Sequence, residues 1–177
     1  MKHLLVFLVA ACFAATLTAC DGDTIGSHHL SLKNGVLTAH VHGQPDATIS
    51  AEGDLKIDGK PVAVTPAQHD LLKKYYGDVV AIRTAGIETG KAGAAMAGHA
   101  IGAVAQGLAH GNPDSIGPKI DAQAKKIEDK ALAVCDDVAV LQSTQDAIAA
   151  SLPAFKPYAT FDGTKTSDCK SETDIRS

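Results

Sequence analysis

The sequence contains no tryptophan, and aromatic residues make up only 4% of its 177 positions. Hydrophobic residues nevertheless reach 45%, so the core has to be built mainly from Ala, Val, Ile and Leu. Small aliphatic side chains of this kind favour closely packed helices. The length is sufficient for one domain with a core of its own.

The sequence also lacks any run of basic residues. Lys and Arg number 16 against 20 acidic residues, and the formal net charge is −4. Nucleic-acid-binding proteins carry a clustered positive surface. We therefore expect no nucleic acid among the partners.

Motifs of the common enzyme classes are absent as well. The segment 113–117 lacks the first glycine of a Gly-x-Ser-x-Gly elbow, and Gly90-Lys91 is followed by Ala92, which breaks the phosphate-loop pattern. No His-Glu-x-x-His occurs. Because no local motif supplies a nucleophile and its base, the sequence predicts a protein that is not an enzyme.

The N-terminus carries a targeting segment. Lys2 precedes a short apolar run over residues 4–15, and Leu17-Thr18-Ala19-Cys20 matches a lipobox. The apolar run is shorter than the roughly 20 residues that span a bilayer. The segment resembles the signal peptides of bacterial lipoproteins, with residues 1–19 as the signal peptide. The alternative is ordinary cleavage, which would leave Cys20 as a thiol.

The lipoprotein resemblance implies a location. Cys20 would be the first mature residue and carry fatty acyl chains such as palmitate, and each buried methylene contributes ~0.8 kcal/mol to membrane anchoring. Residues 20–27 would form the anchor and a polar spacer, with the protein facing the periplasm in the cell envelope. Asp21 resembles the inner-membrane retention signal of enterobacterial lipoproteins, but the choice between inner and outer membrane stays open.

Two cysteines remain once Cys12 leaves with the signal peptide and Cys20 is lipidated. The envelope is oxidising, so we predict a disulfide between Cys135 and Cys169. The chain after Leu152 is long enough to fold back along the preceding helix. Closing such a loop contributes roughly 4 kcal/mol in the chain-entropy model. A redox role is disfavoured because there is no Cys-x-x-Cys pair.

Alternating apolar residues over 28–42 predict a β-hairpin around Asn34-Gly35, the strongest short hairpin signal. The two-residue turn places His29 opposite His40, with His42 on the same face. Imidazoles whose Cβ atoms lie roughly 5 Å apart could bind zinc or copper. The alternative is that they are the wet face of a half-buried hairpin, with no second shell to orient them. No other cofactor is predicted.

Two further hairpins complete an antiparallel meander over about residues 28–64. A three-residue turn at 52–54 would place Ile49 opposite Ile57 and Ala51 opposite Leu55 on one apolar face. A two-residue turn at Asp58-Gly59 would then place Leu55 opposite Val62.

Helical signals dominate the rest of the chain. Residues 65–68 form a capping box with proline at the first helical position. Together with the helical spacing of apolar residues that follows, they predict a long antiparallel helical hairpin over about 66–110 and 118–152. The glycines of the first helix predict fraying or a break near 86–98. The second helix carries a seven-residue apolar repeat that must be buried. Its positions are Ile120, Ala124, Ile127, Ala131, Val134, Val138, Leu141, Gln145, Ile148 and Leu152.

The segment 92–109 contains no Asp, Glu, Lys or Arg, and a row of small residues at four-residue spacing runs through it. Such rows let another helix approach closely. Its members are Gly86, Gly90, Ala94, Gly98 and Gly102. Three interpretations are open. The segment is the first arm of the hairpin in one interpretation, a membrane-active zipper in the second, and a self-association face in the third. Bulky apolar residues are too few to favour insertion.

The C-terminal part is predicted as an extended tail because it contains two prolines, Pro153 and Pro157. Phe155, Tyr158 and Phe161 are expected to cap the aromatic-poor core. Residues 28–177 are therefore interpreted as a single α+β domain.

The second hairpin and the helix start resemble a known family. The stretch 49–60 (ISAEGDLKIDGK), the segment 65–68 (TPAQ) and Tyr75-Tyr76 resemble the YggN-like family of proteobacterial envelope proteins, whose function is unknown. The resemblance implies an α+β fold and an envelope location, and it supplies no catalytic residues. We expect a membrane-anchored, non-enzymatic binding or structural module with a protein partner in the envelope. The alternative function is metal binding by the histidine face, and a hydrolase without a recognisable motif is the third.

Overall fold

An antiparallel sheet is followed by two long helices and a short 3-10 helix. The structure is a computed structural model and describes residues 24–25 (backbone), 30–110 and 116–161. The strands are β1 (Thr24–Ile25), β2 (Leu30–Lys33), β3 (Val36–Ala39), β4 (Ala47–Ser50), β5 (Leu55–Ile57) and β6 (Lys60–Pro61). The helices are α1 (Pro66–His110) and α2 (Ile116–Ser151), and Pro153–Tyr158 is the 3-10 helix. The predicted α+β class, with a meander before a helical hairpin, is confirmed.

The strands pair in chain order, each antiparallel to the next. Lys33 lies opposite Val36 as predicted, because Asn34 and Gly35 both adopt the positive φ (51° and 75°) of a tight hairpin turn. The third hairpin also has the predicted register, with the Val62 N–H donating to the Leu55 carbonyl at 2.9 Å. Strand β1 was not predicted, since its two residues had been placed in the spacer; it pairs with β2.

The predicted register of the second hairpin is wrong by two residues. Ile49 lies opposite Leu55, and Ala51 is exposed in the turn. The turn closes one residue earlier than predicted, between Ser50 and Asp54, where the Ser50 N–H donates to the Asp54 carbonyl at 3.1 Å. Gly53 supplies the positive φ of 99° that this turn requires. A shift of two residues keeps each strand residue on its face, so the apolar face was still identified correctly.

The core lies between one face of the sheet, the first half of α1 and the last half of α2. The sheet contributes Leu30, Leu37, Ala39, Ala47, Ile49 and Leu55, and the helices contribute Leu72, Tyr75, Val79, Ile82, Leu141 and Ile148. Leu152, directly after α2, is also part of the core. The predicted α2 seam is fully buried only in its last part. Ala124, nearer its start, is exposed.

Helix α1 begins with the predicted capping box. The Thr65 N–H donates to Gln68 Oε1 at 2.8 Å, and the Gln68 N–H donates to Thr65 Oγ1 at 3.3 Å. The helix then runs without interruption for 45 residues, so the predicted break near 86–98 is absent. The several glycines lower helix propensity there, but packing along α2 maintains the helix.

The chain after Leu152 is helical where an extended segment was predicted. Proline at the first position of the 3-10 helix has a suitable φ, and the Phe155 N–H donates to the Leu152 carbonyl at 2.9 Å. The compact turn inserts Phe155 and Tyr158 into the core, as expected of these aromatic residues. Phe155 meets Tyr75 edge-on, with ring centroids 5.7 Å apart.

Candidate functional site

The face of the sheet that points away from the helices carries a polar cavity of about 550 Å³. Strands β2, β3 and β4 and both ends of the segment between β3 and β4 contribute to its wall. Apart from Leu30, every lining side chain is polar or charged: Ser31, Lys33, Thr38, His40, Asp46 and Thr48. The cavity therefore offers several hydrogen-bonding groups to a small polar ligand.

Three of these side chains form a connected series. His40 Nδ1 lies 2.8 Å from Asp46 Oδ1, and His40 Nε2 lies 3.5 Å from Ser31 Oγ. A carboxylate can only accept a hydrogen bond, so the Nδ1 atom of His40 is the donor of this pair. In the neutral imidazole, Nε2 then carries the lone pair and faces the Ser31 hydroxyl.

The strand register explains why these residues meet. Ala39 pairs with Ala47, so His40 and Asp46, one position further on, lie across from each other. Ser31 pairs with Thr38, which places it diagonally next to His40 on the same face. The sequence signal was incomplete, because it gave the β2–β3 register and the face of His40 but did not indicate that Asp46 continues the β3–β4 ladder.

A hydrogen bond from the 3-10 helix fixes the loop that carries Asp46. The Tyr158 hydroxyl donates to the Pro45 carbonyl at 2.7 Å, from a side chain that is 2% exposed. Burial, followed by the nearby Asp46 and Asp58 carboxylates, raises the pKa of Tyr158 above its ordinary value. The hydroxyl therefore stays protonated and remains a donor to the loop.

The predicted histidine metal site is only partly covered by the structure. His42 is exposed, and His29 lies outside the described residues. Across 30–110 and 116–161, no group of three or more His, Cys, Asp or Glu side chains is placed to hold a metal ion. Zinc or copper binding by His29, His40 and His42 stays a prediction, and His40 has Asp46 as its carboxylate partner.

The predicted anchor and disulfide depend on residues outside the described part of the chain. Cys20, Asp21 and Cys169 are among them. Cys135 is described and is 2% exposed. The lipid anchor and the Cys135–Cys169 bridge therefore stay predictions.

A buried glutamine shows how the C-terminal segment returns along α2. Gln145 is fully buried, and its amide nitrogen donates to the Phe161 carbonyl at 2.9 Å while its amide oxygen accepts from the Phe161 N–H at 3.0 Å. Between Leu152 and Phe161 the chain has therefore reversed direction by about two helical turns. This is the direction that a Cys135–Cys169 bridge requires.

The row of small residues on α1 points away from α2. Gly86, Gly90, Ala94, Gly98 and Gly102 are all exposed, and no atom of another residue lies within 4 Å of the space where a Cβ would stand on any of the four glycines. The opposite, half-buried face of the same segment includes Thr89, Ala92 and Met96. The segment is thus an arm of the hairpin, as one interpretation held, but its small-residue row is not the packed side.

In the described part of the chain, neither helix has the length and apolarity needed to cross a bilayer. No family model, no curated protein and no solved structure matches this chain. The resemblance to the YggN-like family therefore stays a prediction.

Proposed function

We propose that this chain is a lipid-anchored envelope protein whose α+β domain binds a partner protein through the small-residue row of α1. The lipobox at residues 17–20 supports the anchor. The exposure of the row, from Gly86 to Gly102, is the observation that carries the binding role. Exposed helix surfaces are ordinarily covered by long polar side chains, whereas this one presents backbone and methyl groups.

The chemistry of the row indicates the kind of partner. Glu88 and Lys91 are the charged residues within the span of the row, and no Asp, Glu, Lys or Arg occurs between 92 and 109. Ile87 and Ile101 beside the row are 38% and 74% exposed. A helix with an uncharged, apolar face would match this surface, because glycine lets two backbones approach closely and the flanking isoleucines would be removed from water. The occupant that we propose is such a helix from another envelope protein.

The anchor orients this surface. Attachment at Cys20, a few residues before β1, would hold the sheet end of the domain near the membrane. Helix α1, at 45 residues, is about 68 Å long at 1.5 Å per residue. The row occupies the half of that helix that lies beyond Ile82, the last core residue of α1.

Site-specific photocrosslinking in cells tests the proposal. A photoreactive residue at Ala94 in the row is compared with one at Ala133, an exposed position on α2. We expect a specific product from position 94 that is missing from position 133 and is lost in Cys20→Ser. If position 94 crosslinks only to a second copy of the chain, the row is a self-association surface and the proposed partner protein is refuted. Equal products from both positions, or none, would refute the role of the row.

A glycine substitution separates binding from folding. Gly98→Leu adds a side chain where nothing lies within 4 Å, and replacing glycine in a helix gains up to about 1 kcal/mol of propensity. The variant should therefore fold at least as well as the parent while losing the Ala94 crosslink. Gly77→Leu is the matched control, since Gly77 is an equally open helical glycine outside the row.

The anchor and the disulfide can be tested in one mass measurement. Intact mass of protein from the membrane fraction should show the acyl chains on Cys20, and Cys20→Ser should be lost from that fraction. Because Cys135 is buried, alkylation is done on the unfolded protein without reductant, and it should leave Cys135 and Cys169 unmodified. Two alkylated thiols would refute the bridge without affecting the anchor.

A further inference from the structure

The polar cavity on the sheet holds an arrangement that the binding role does not use. Ser31, His40 and Asp46 form a hydroxyl–imidazole–carboxylate series with separations of 3.5 Å and 2.8 Å. We propose that this series is a nucleophilic acyl-transfer site, at which Ser31 attacks an ester of a small carboxylic acid. The inference is independent of the anchor and of the α1 row.

Each of the three side chains has a defined role. Asp46 accepts the Nδ1–H of His40, which fixes the ring orientation and the tautomer. His40 Nε2 is then the base that takes the Ser31 proton. The serine is the nucleophile because a neighbouring base activates a hydroxyl that is otherwise unreactive.

The distance from Ser31 Oγ to His40 Nε2 is longer than the roughly 2.6–3.2 Å of a working nucleophile–base pair. Such contacts are often loose without substrate and tighten when it binds. Ser31 and His40 are diagonal neighbours on paired strands, so rotation about the side-chain bonds can shorten the contact without moving the sheet.

Donors for the developing negative charge line the same cavity. Thr38 lies directly across from Ser31 in the ladder, and Lys33 lies two residues along β2 on the same face. A hydroxyl and an ammonium beside the attacked carbonyl would stabilise its oxygen as it becomes an oxyanion. These two residues would have the role that paired backbone N–H groups have in other acyl-transfer sites.

The reaction balances with water as the only co-substrate. The Ser31 oxygen bonds to the ester carbon while its proton moves to His40 Nε2, and the carbonyl oxygen becomes an oxyanion. As the carbonyl reforms, the ester C–O bond breaks and the alcohol leaves with the proton from His40. Water then attacks the acyl-serine, again with His40 as base. Ser31 is restored and the carboxylic acid is released.

The cavity wall indicates the substrate class. Apart from Leu30, the residues of the wall are polar or charged, so an ester of a polar alcohol would find hydrogen-bonding partners there. The side chains of His40 and Asp46 are 49% and 58% exposed, so water reaches the acyl-serine and would hydrolyse it. An acetyl ester of a polar alcohol fits both features better than a lipid ester.

A trapping experiment on the full chain, purified in detergent, tests the site. The probes are p-nitrophenyl acetate for turnover and a fluorophosphonate for covalent capture, with the labelled residue identified by peptide mass spectrometry. We expect the adduct on Ser31, and no adduct in Ser31→Ala. His40→Gln should slow labelling by about 100-fold, the lower end of what a positioned base contributes. Asp46→Asn should slow it as well.

Matched variants keep the result interpretable. Ser143→Ala removes an exposed serine on α2 and should label at the parental rate. Ser31→Cys keeps a nucleophile at the same position and should retain acetyl transfer from the ester. Circular dichroism of each variant checks that the fold is intact.

Three outcomes would overturn the proposal. The first is that the fluorophosphonate labels a residue other than Ser31 or labels none. The second is a rate in His40→Gln equal to that of Ser143→Ala. The third is zinc binding that depends on His40 and Asp46, measured by calorimetry, with no labelling of Ser31; this would assign the imidazole to a metal instead.

Discussion

Among the glycines whose surroundings the structure describes, Gly53 is the one where an added methyl group should cost most. It is buried in the β4–β5 turn at a φ of 99°. A Cβ built there would lie 2.7 Å from the His69 carbonyl oxygen and 3.0 Å from the Lys73 backbone nitrogen. Both atoms belong to the backbone of α1, so no side-chain rotation can relieve the contact. The turn docks the sheet directly against the helix at this point.

Two free-energy costs add in the Gly53→Ala variant. A left-handed backbone costs a non-glycine residue roughly 1–2 kcal/mol. Overpacking against a backbone that must shift costs about 1–3 kcal/mol more. The free energy of unfolding should therefore fall by about 2–5 kcal/mol, a large share of the stability of a small domain.

Gly59→Ala is the matched control. Gly59 has a similar positive φ of 71°, but nothing lies within 4 Å of its Cβ position, so it carries only the first cost. Urea unfolding followed by circular dichroism should give midpoints that differ by about 1–3 kcal/mol after multiplication by a common m value. Equal losses in the two variants would refute the close approach of the turn to α1.

The remaining predictions concern contacts that tie distant segments together. Gln145→Leu leaves the Phe161 N–H and carbonyl without their partners and should lower the unfolding free energy by about 2 kcal/mol in chemical denaturation; an unchanged midpoint would contradict the return of the tail. Burial and nearby carboxylates raise the pKa of Tyr158 above 10.0, so the unfolded state releases its proton first as the pH rises through that value. Stability should thus be fully present below pH 10 and decline above it, and pH-dependent melting of Tyr158→Phe should show a smaller decline. Thr65→Ala removes the acceptor for the Gln68 N–H and should cost about 1 kcal/mol, whereas Thr65→Ser should restore most of it in the same assay.

Local signals were sufficient for the helices and for two of the hairpins. The capping box at residues 65–68 and the apolar period predicted α1 and α2 nearly to their observed ends. Asn34-Gly35 and Asp58-Gly59 predicted their turns, because few residue pairs tolerate two successive positive φ angles. In each of these cases the information lies within a few residues of the feature.

The β4–β5 register follows from a glycine that the predicted turn misplaced. Residues 52–54 and 51–53 both provide three-residue turns, and both keep Ile49 and Leu55 on the apolar face. Only the 51–53 turn puts Gly53 at its third position, where the positive φ of 99° is needed. The glycine was thus the local signal for the correct turn. The close approach of this turn to the α1 backbone is what the tertiary structure adds.

The sequence by itself determined the α+β class, the helical hairpin, the side of the sheet that is buried, and the predicted lipobox, since each depends on periodicity or on adjacent residues. Only the tertiary structure decided which side of α1 is exposed. The four-residue spacing identifies a row of small residues, but it does not indicate on which side of α1 the helix α2 packs. Only the ladder of three strands brought Ser31, His40 and Asp46 together. Their chemistry depends on cross-strand neighbours, and these are set by pairing rather than by distance along the chain.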